Sequence, residues 1–545
     1  MIAGLVPDVL ADQPIAGGPR SARTPAARIN GVQRACVRVD TLLVVMSDAE
    51  TEAPRRAAGL PEVAWGWLAS AIIALAVVLT AVSNRYGFER DELYFRMLRP
   101  AWGYVDQPPL TPLLGRLAAH VSSGPWAERV PATVFAMLSV LVVVLISREL
   151  GGGRAAQALC AWSYAFAATP LLMGHVLITA SLDLVVWPLA CLFVIRALMR
   201  AEPRWWLAAG ATVGLSTYNK WLISLLIVAL AAGLLIAGPR RALWNRWIML
   251  AAALALVIAL PNLVYQAAHS WPQLTMSRAL STDNAGSVRI VMWPYLFLLL
   301  GPPLVPIWVA GLVALWRRPA WRPVRFLPLA FAVLLLETFA GGGQLYYPFG
   351  LLAVVYAAGC VPAADFLARS AGWRRTAWVA ICVNAAVSAV IALPLLPASV
   401  LGGTPVPGIN QLARDQIGWP EYVSRVAAVY RTIPPGEALH TVIITSNYGE
   451  AGAITQYGPA LGLPQPYSGH NQLYFTRRPP AATTTAVIVG GQLADVSDDF
   501  ASCTVVARLH NRDGVQNEEV GEPVAICRQP DQSWATLWPK FLHYD

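Results

Sequence analysis

The chain has 545 residues, of which 56% are hydrophobic and only 13% charged, with a formal net charge of +9. Soluble globular domains carry about 25% charged residues, so a soluble chain of this composition could not cover its surface. Disordered, collagen-like and nucleic-acid-binding classes are excluded for the bulk of the chain, leaving a polytopic α-helical membrane protein.

The first 60 residues show no periodic pattern and no apolar core of a signal peptide. They read as a disordered cytoplasmic N-terminus. Met46, followed by the acidic, polar stretch Ser47 to Ala53, reads as an alternative start. The first long apolar run follows Arg55 and Arg56, at 63–82. Others lie near 130–147, 156–172, 176–195, 205–218, 221–237, 247–265, 291–315, 326–340, 347–366 and 376–396. Most approach the ~20 residues that cross about 30 Å of hydrocarbon, which predicts about 11 spans within 61–398; the pair 205–218 and 221–237 is short.

Positive charge is almost all arginine, with only Lys220 and Lys540 as lysines. Arg148/Arg154, Arg196/Arg200/Arg204, Arg240/Arg241/Arg246, Arg317/Arg318/Arg322/Arg325 and Arg369/Arg374/Arg375 fall, like Arg55/Arg56, at every second gap between runs. The positive-inside rule makes these gaps cytoplasmic, so the charge reads as topology and not as a nucleic-acid surface. The protein is then expected in the plasma membrane with its N-terminus inside. Loops 83–129, 266–290 and 341–346 and the tail from 399 to 545 lie outside. The tail carries turn dipeptides and short apolar strands at Thr441 to Thr445 and Ala486 to Val489. With the helix-like stretch Pro420 to Arg431, they predict a small extracytoplasmic α/β domain. Cys503 and Cys527 fall in it, and an oxidising compartment favours a disulfide between them.

Ionisable groups near membrane depth are functional candidates. Asp91 and Glu92 follow the first run, Asp106 lies in Gly103-Tyr104-Val105-Asp106-Gln107-Pro108-Pro109, and Asp183 opens a later run. Asp91 and Glu92 are read either as solvated charges paired with Arg85, Arg90 or Arg96, or as part of a carboxylate group. Such a group could supply a base or oxygen ligands for a divalent metal; which metal, if any, is left open. Lys220, at the join of the two short runs, either snorkels or offers a point charge to a phosphate. His175, His269 and Arg278 lie near outward loops. In the tail, the stretches around Glu450 and around His470-Asn471 read as polar loops.

Taken together these segments resemble the GT-C glycosyltransferases, and most closely the family 39 and aminoarabinose-transferase type that includes the protein mannosyltransferases. The resemblance rests on Asp91-Glu92-Leu93-Tyr94, on Gly103 to Leu110, and on Thr179 to Asp183. It extends to Pro261 to Gln266 with His269 to Pro272, Gly342 to Tyr347, Asn447 to Ala453 and Ser468 to Asn471. It implies an inverting transfer of a sugar from a polyprenyl-phosphate carrier to an envelope acceptor (glycan, lipid or protein) at the outer face. Asp91 is then the base, Glu92 assists, and Asp106 and Asp183 join the catalytic set. Lys220, Gln107, His269, Arg278, Tyr346 and Tyr347 hold the donor, and Glu450, His470 and Asn471 are candidates for substrate contact. Two departures stand out. Asp106-Gln107 replaces a Glu-Lys pair of the aminoarabinose transferases, and Gln344 replaces the lysine of a Gly-Lys-x-Tyr-Tyr segment. A lipid-linked-sugar flippase is the alternative; no internal repeat of the kind transporters carry is visible.

Overall fold

The computed structural model describes residues 59–544; the expected disordered N-terminus and the start at Met46 lie outside them. Among the described residues seven helices are long and apolar enough to cross a membrane: Trp65–Val82, Trp126–Glu149, Thr179–Met199, Arg246–Ala268, Pro319–Gly341, Phe349–Leu367 and Ala371–Ala392. A further pair, Asn284–Leu298 and Pro302–Arg317, is bent by 72° and has the length and apolarity of either a broken span or a re-entrant loop.

Each of the eleven apolar runs is helical, but four of them do not form single helices long enough to cross, so the count of eleven spans is not reproduced. The run 156–172 breaks into Arg154–Ala165 and Ala168–His175. Pro170 cannot donate to the carbonyl four residues back, so the helix restarts with proline in its first turn. Trp205–Ser216 and Ile223–Ala237 have 12 and 15 residues, about 18 and 22 Å at 1.5 Å per residue. The 72° bend falls at Gly301-Pro302-Pro303, where Gly301 has φ +98°, a backbone state that glycine adopts without steric cost.

Apolar surface in these helices faces either lipid or a neighbour, so small residues decide where backbones meet. A Cβ on Gly311 would lie 2.0 Å from the Val355 carbonyl oxygen, and one on Gly359 would lie 1.8 Å from that of Ile307. Helices Val305–Arg317 and Phe349–Leu367 therefore touch along their backbones. At one end of the bundle Glu149 is buried and gathers arginines, accepting from Arg196 Nε at 2.8 Å and Arg200 Nε at 2.9 Å.

The segment read as one loop, 83–129, holds two helices, Arg90–Met97 and Leu110–Val121. The second buries Thr111, Pro112, Gly115 and Ala118 and leaves Leu113, Leu117 and Val121 exposed. The loop expected at 266–290 is the first part of a 27-residue helix, Pro272–Leu298.

Beyond Ala392 the chain forms a five-stranded sheet of order β2-β1-β3-β5-β4. Its strands are β1 (Thr441–Thr445), β2 (Tyr467–Ser468), β3 (Thr485–Val489), β4 (Phe500–Arg508) and β5 (Pro523–Pro530). β1 runs parallel to β2 and β3; β5 is antiparallel to β3 and β4. β1 and β3 are buried along their whole length, which matches their composition of β-branched residues with Ala486 as the single exception. Helices Trp419–Tyr430 and Tyr448–Tyr457 pack with this sheet around Ile443, Val487 and Ile526. The domain is not a separate body, because residues 60–545 form one compact unit.

Cys503 and Cys527 face each other across β4 and β5 and are joined as a disulfide. The bridge ties the edge strand β4 to the sheet across a sequence separation of 24, a closure worth about 3 kcal/mol in the unfolded chain. Cys503→Ser with Cys527→Ser is expected to lower the unfolding free energy of the C-terminal domain by roughly that amount. Denaturant titration followed by a domain-specific tryptophan signal would measure it; an unchanged midpoint would remove the bridge as a stabilising element.

Candidate active site

The short helix Arg90–Met97 sets the geometry. Glu89 caps it and accepts from the Asp91 amide at 2.7 Å, while Glu92 reaches back to accept from the Glu89 amide at 2.9 Å. This reciprocal capping satisfies amides that have no partner within the helix. Successive residues on a helix point about 100° apart, so Asp91 and Glu92 serve different environments.

Glu92 is fully buried. It takes a two-pronged bond from Arg129, Nε to Oε1 and Nη2 to Oε2, both at 3.1 Å, and accepts from the Leu177 amide at 3.2 Å. Arg129 spends its other donors on the carbonyls of Ser83 (2.9 Å), Arg85 (3.2 Å) and Gly87 (2.7 Å) and on Gln416 Oε1 (3.1 Å). The expected partners of the acidic pair are engaged elsewhere: Arg90 pairs with Glu518 and Arg96 with Glu128. Glu92 thus anchors the acidic helix through Arg129 and the Glu89 and Leu177 amides, a placement that suits orienting Asp91 rather than meeting substrate itself.

Asp91 is half-buried and accepts from the Tyr448 hydroxyl at 2.9 Å. Burial pushes its carboxyl above the ordinary range; the Tyr448 bond, Arg90 and Lys220 oppose that push, and Glu92 adds to it. Lys220 is thus within electrostatic reach of Asp91.

Asp106 comes from a loop pinned on both sides. The Val105 amide donates to Gln472 of the C-terminal domain at 3.0 Å, and the Val105 carbonyl accepts from Gln273 at 3.3 Å. Gln107 donates to Asp106 Oδ2 at 3.2 Å, while Oδ1 is buried with no protein partner. Burial pushes the Asp106 carboxyl up to about 7; the Tyr94 hydroxyl beside it opposes this and the charge of Asp91 reinforces it.

Lys220 sits in the link between the two short helices. Its Nζ donates to the Tyr346 hydroxyl at 2.9 Å and lies 5.3 and 5.5 Å from the ring centroids of Tyr346 and Tyr347, within range of cation–π attraction. Burial works against its charge but is outweighed by Tyr346, Tyr347 and Asp183, so it stays an ammonium ion. Asn219 beside it is fully buried, accepts from Thr111 at 2.5 Å, and donates to the Thr179 carbonyl at 2.9 Å and to Asp183 Oδ1 at 3.3 Å. It ties Lys220 to the helix that carries Asp183.

The structure thus brings Asp91, Asp106, Gln107, Asp183, Lys220, Tyr346 and Tyr347 into one neighbourhood. His269 is exposed at its edge, stacked on Tyr265 at 4.1 Å. Arg278 is exposed on the helix Pro272–Leu298, without a bond to this group. Glu450 serves as a capping carboxylate. It is buried and accepts from the amides of Ser446 (2.9 Å) and Asn447 (3.3 Å), while Asn447 caps helix Tyr448–Tyr457 in return. The spacing Asn447-x-x-Glu450 is a capping signature, and reading it would have replaced the expected loop by a helix start. His470 is buried and accepts from the Tyr448 amide at 3.1 Å. Asn471 is buried at φ +48° and donates through its amide to His543 at 3.1 Å. His470 supports Tyr448 both through the bond from its amide and by stacking on its ring at 4.8 Å. Among the described residues no three His, Cys, Asp or Glu side chains are placed to hold a metal ion. Tyr94, Arg129, Asn219 and Tyr448 were not signalled as site residues by the sequence.

A family model described as dolichyl-phosphate-mannose-protein mannosyltransferase matches residues 106–265, the stretch that carries Asp106, Asp183 and Lys220. No curated protein matches the chain in sequence. Among solved structures, ArnT from Cupriavidus metallidurans bound to undecaprenyl phosphate superposes with a TM-score of 0.55 at 16% identity, covering 85% of this chain and 98% of that one. Its apo form gives 0.53 at 15% identity with the same coverage. The chain carries the GT-C glycosyltransferase fold. The arabinofuranosyltransferase AftD from Mycobacteria is also similar, with a TM-score of 0.46 at 13% identity over 86% of this chain and 40% of that one. The GT-C fold covers both the helical bundle and the C-terminal domain, consistent with the single compact unit.

Proposed function

We propose that this GT-C protein moves a sugar from a polyprenyl-phosphate carrier to a hydroxyl of an envelope glycan, lipid or protein, with inversion at the anomeric carbon. The observation that carries this reading is the juxtaposition of a carboxylate, Asp91, with an ammonium–phenol pair, Lys220 and Tyr346. The reaction needs those two things. The acceptor oxygen forms a bond to the anomeric carbon as the bond from that carbon to the phosphate oxygen breaks. The acceptor proton passes to Asp91, and the polyprenyl phosphate leaves. A phosphate leaves with little protonation but needs fixed charge and donors around it. The undecaprenyl phosphate bound to ArnT has the phosphate chemistry that Lys220 and Tyr346 would suit. The C-terminal domain lies on the same side as Asp91, and the arginine clusters around Glu149 lie at the other end of the bundle. Together with the positive-inside rule, this supports the reading that the site and the C-terminal domain face the outside of the plasma membrane and the N-terminus the inside.

Purified protein in detergent, given radiolabelled polyprenyl-phosphate sugars and a crude envelope acceptor, is expected to transfer label. A flippase has nothing to do without a second compartment, so turnover in micelles separates the two readings; its absence across all donors would sink this one. Lys220→Met is expected to cut kcat/KM for the donor by about 100-fold to 1,000-fold, the usual cost of one lost charge-stabilising donor. Lys220→Arg should recover part of it. Equal kcat/KM in the wild type and Lys220→Met would take the lysine out of phosphate binding.

A further inference from the structure

Tyr448 belongs to the C-terminal domain and lies 357 residues from Asp91 in sequence, yet its hydroxyl donates to the Asp91 carboxylate at 2.9 Å. Everything around the ring fixes it there. One face stacks on Tyr94 at 4.7 Å between centroids, and His470 stacks on it at 4.8 Å. The Arg90 guanidinium lies 4.8 Å from its centroid. His470 in turn stacks on His543, near the end of the chain, at 4.7 Å. The helix that Tyr448 opens meets Arg90–Met97 so closely that a Cβ on Gly452 would lie 2.7 Å from Leu93. The domain and the acidic helix are docked as a unit, with Tyr448 at the point where they meet the reacting group.

We propose that Tyr448 is a positioning residue for the transfer: its hydroxyl orients the Asp91 carboxylate, and the C-terminal domain thereby completes the active site. This rests on the reading of Asp91 as the base. A carboxylate with two equivalent oxygens can rotate; a fixed donor on Oδ1 holds one oxygen and leaves Oδ2 for the acceptor proton. A phenol bond to the charged form also favours that form. The groups that bear on Asp91 are Glu89, Arg90 and Glu92 from its own helix, Asp106 and Lys220 from the membrane part, and Tyr448 from the C-terminal domain. Only Tyr448 among them donates a side-chain hydrogen bond to it.

The test is the pH dependence of kcat/KM for wild type, Asp91→Asn and Tyr448→Phe in the full-length protein. Phenylalanine keeps the ring stack and removes only the hydroxyl. The acid limb of Tyr448→Phe is expected to move up by about one pH unit, with kcat down about tenfold and donor KM within about twofold, as for a lost orienting contact. Replacing Tyr448 with a fluorinated tyrosine, a stronger donor, should move the same limb down. If Asp91→Asn is inactive and neither Tyr448 variant moves the limb, the tyrosine is only a packing residue and this proposal falls alone. If Asp91→Asn keeps full turnover, the base assignment falls, and this proposal with it.

Discussion

Asp91→Asn is expected to lower kcat by about 1,000-fold, the middle of the range for a lost general base, with no loss of folded protein. Asparagine is nearly isosteric, and its amide oxygen can still accept from Tyr448. It cannot take a proton from an acceptor hydroxyl. Stability should not suffer, because burial already disfavours the Asp91 charge, and a neutral side chain avoids that cost. The pH profile follows the same logic. A base works only when ionised, and burial raises the Asp91 carboxyl above its ordinary 3.8. Activity should therefore be complete at high pH and fall away as pH drops through the raised value, giving an acid limb above 3.8. Asp106, pushed up to about 7, ionises near neutrality and places a second negative charge close by, so the limb should be broader than for a single carboxyl. Steady-state kinetics with thermal unfolding in the same detergent would check both halves. Wild-type turnover in Asp91→Asn would remove this residue from the chemistry.

The largest stability effect is expected at Arg129. Arg129→Met removes the cation that pairs with Glu92 and the donor to three carbonyls in the turn before the acidic helix. Breaking a buried pair from one side leaves an uncompensated charge and costs about 3–5 kcal/mol. Since Gln416 is also released, both the 83–87 turn and the C-terminal domain should loosen against the bundle. Arg129→Met combined with Glu92→Gln should recover part of the loss, because the stranded charge is gone. Unfolding midpoints of the three variants form a double-mutant cycle. Additive effects would mean that the two side chains act independently, contrary to the geometry.

The sequence carried the elements further than the contacts. Every apolar run is a helix because the requirement to satisfy the backbone in lipid leaves little choice. Run length alone did not show which helices cross: Pro170 and the Gly301-Pro302-Pro303 corner break two of them, and their effect depends on local geometry. Asp91, Asp106, Asp183 and Lys220 stood out because charge is rare in such a chain. Their neighbours did not. Arg129 lies 37 residues from Glu92 and Tyr448 far beyond that, and nothing in local spacing pairs an arginine at the start of an apolar run with a carboxylate in another helix. Asn219 was hidden by its type, since a single amide beside a lysine looks like any loop residue until Thr111, Thr179 and Asp183 close around it.

The two short helices have a consequence for the lipid itself. Both meet the arginine-bearing side through polar links and run toward the link that holds Lys220, yet at about 18 and 22 Å neither reaches across a bilayer about 30 Å thick. Hydrophobic mismatch of this size is relieved by thinning the neighbouring leaflet. The dimple that results would lower lipid headgroups toward Lys220, so a long-chain carrier could present its phosphate there without drawing its tail out of the hydrocarbon.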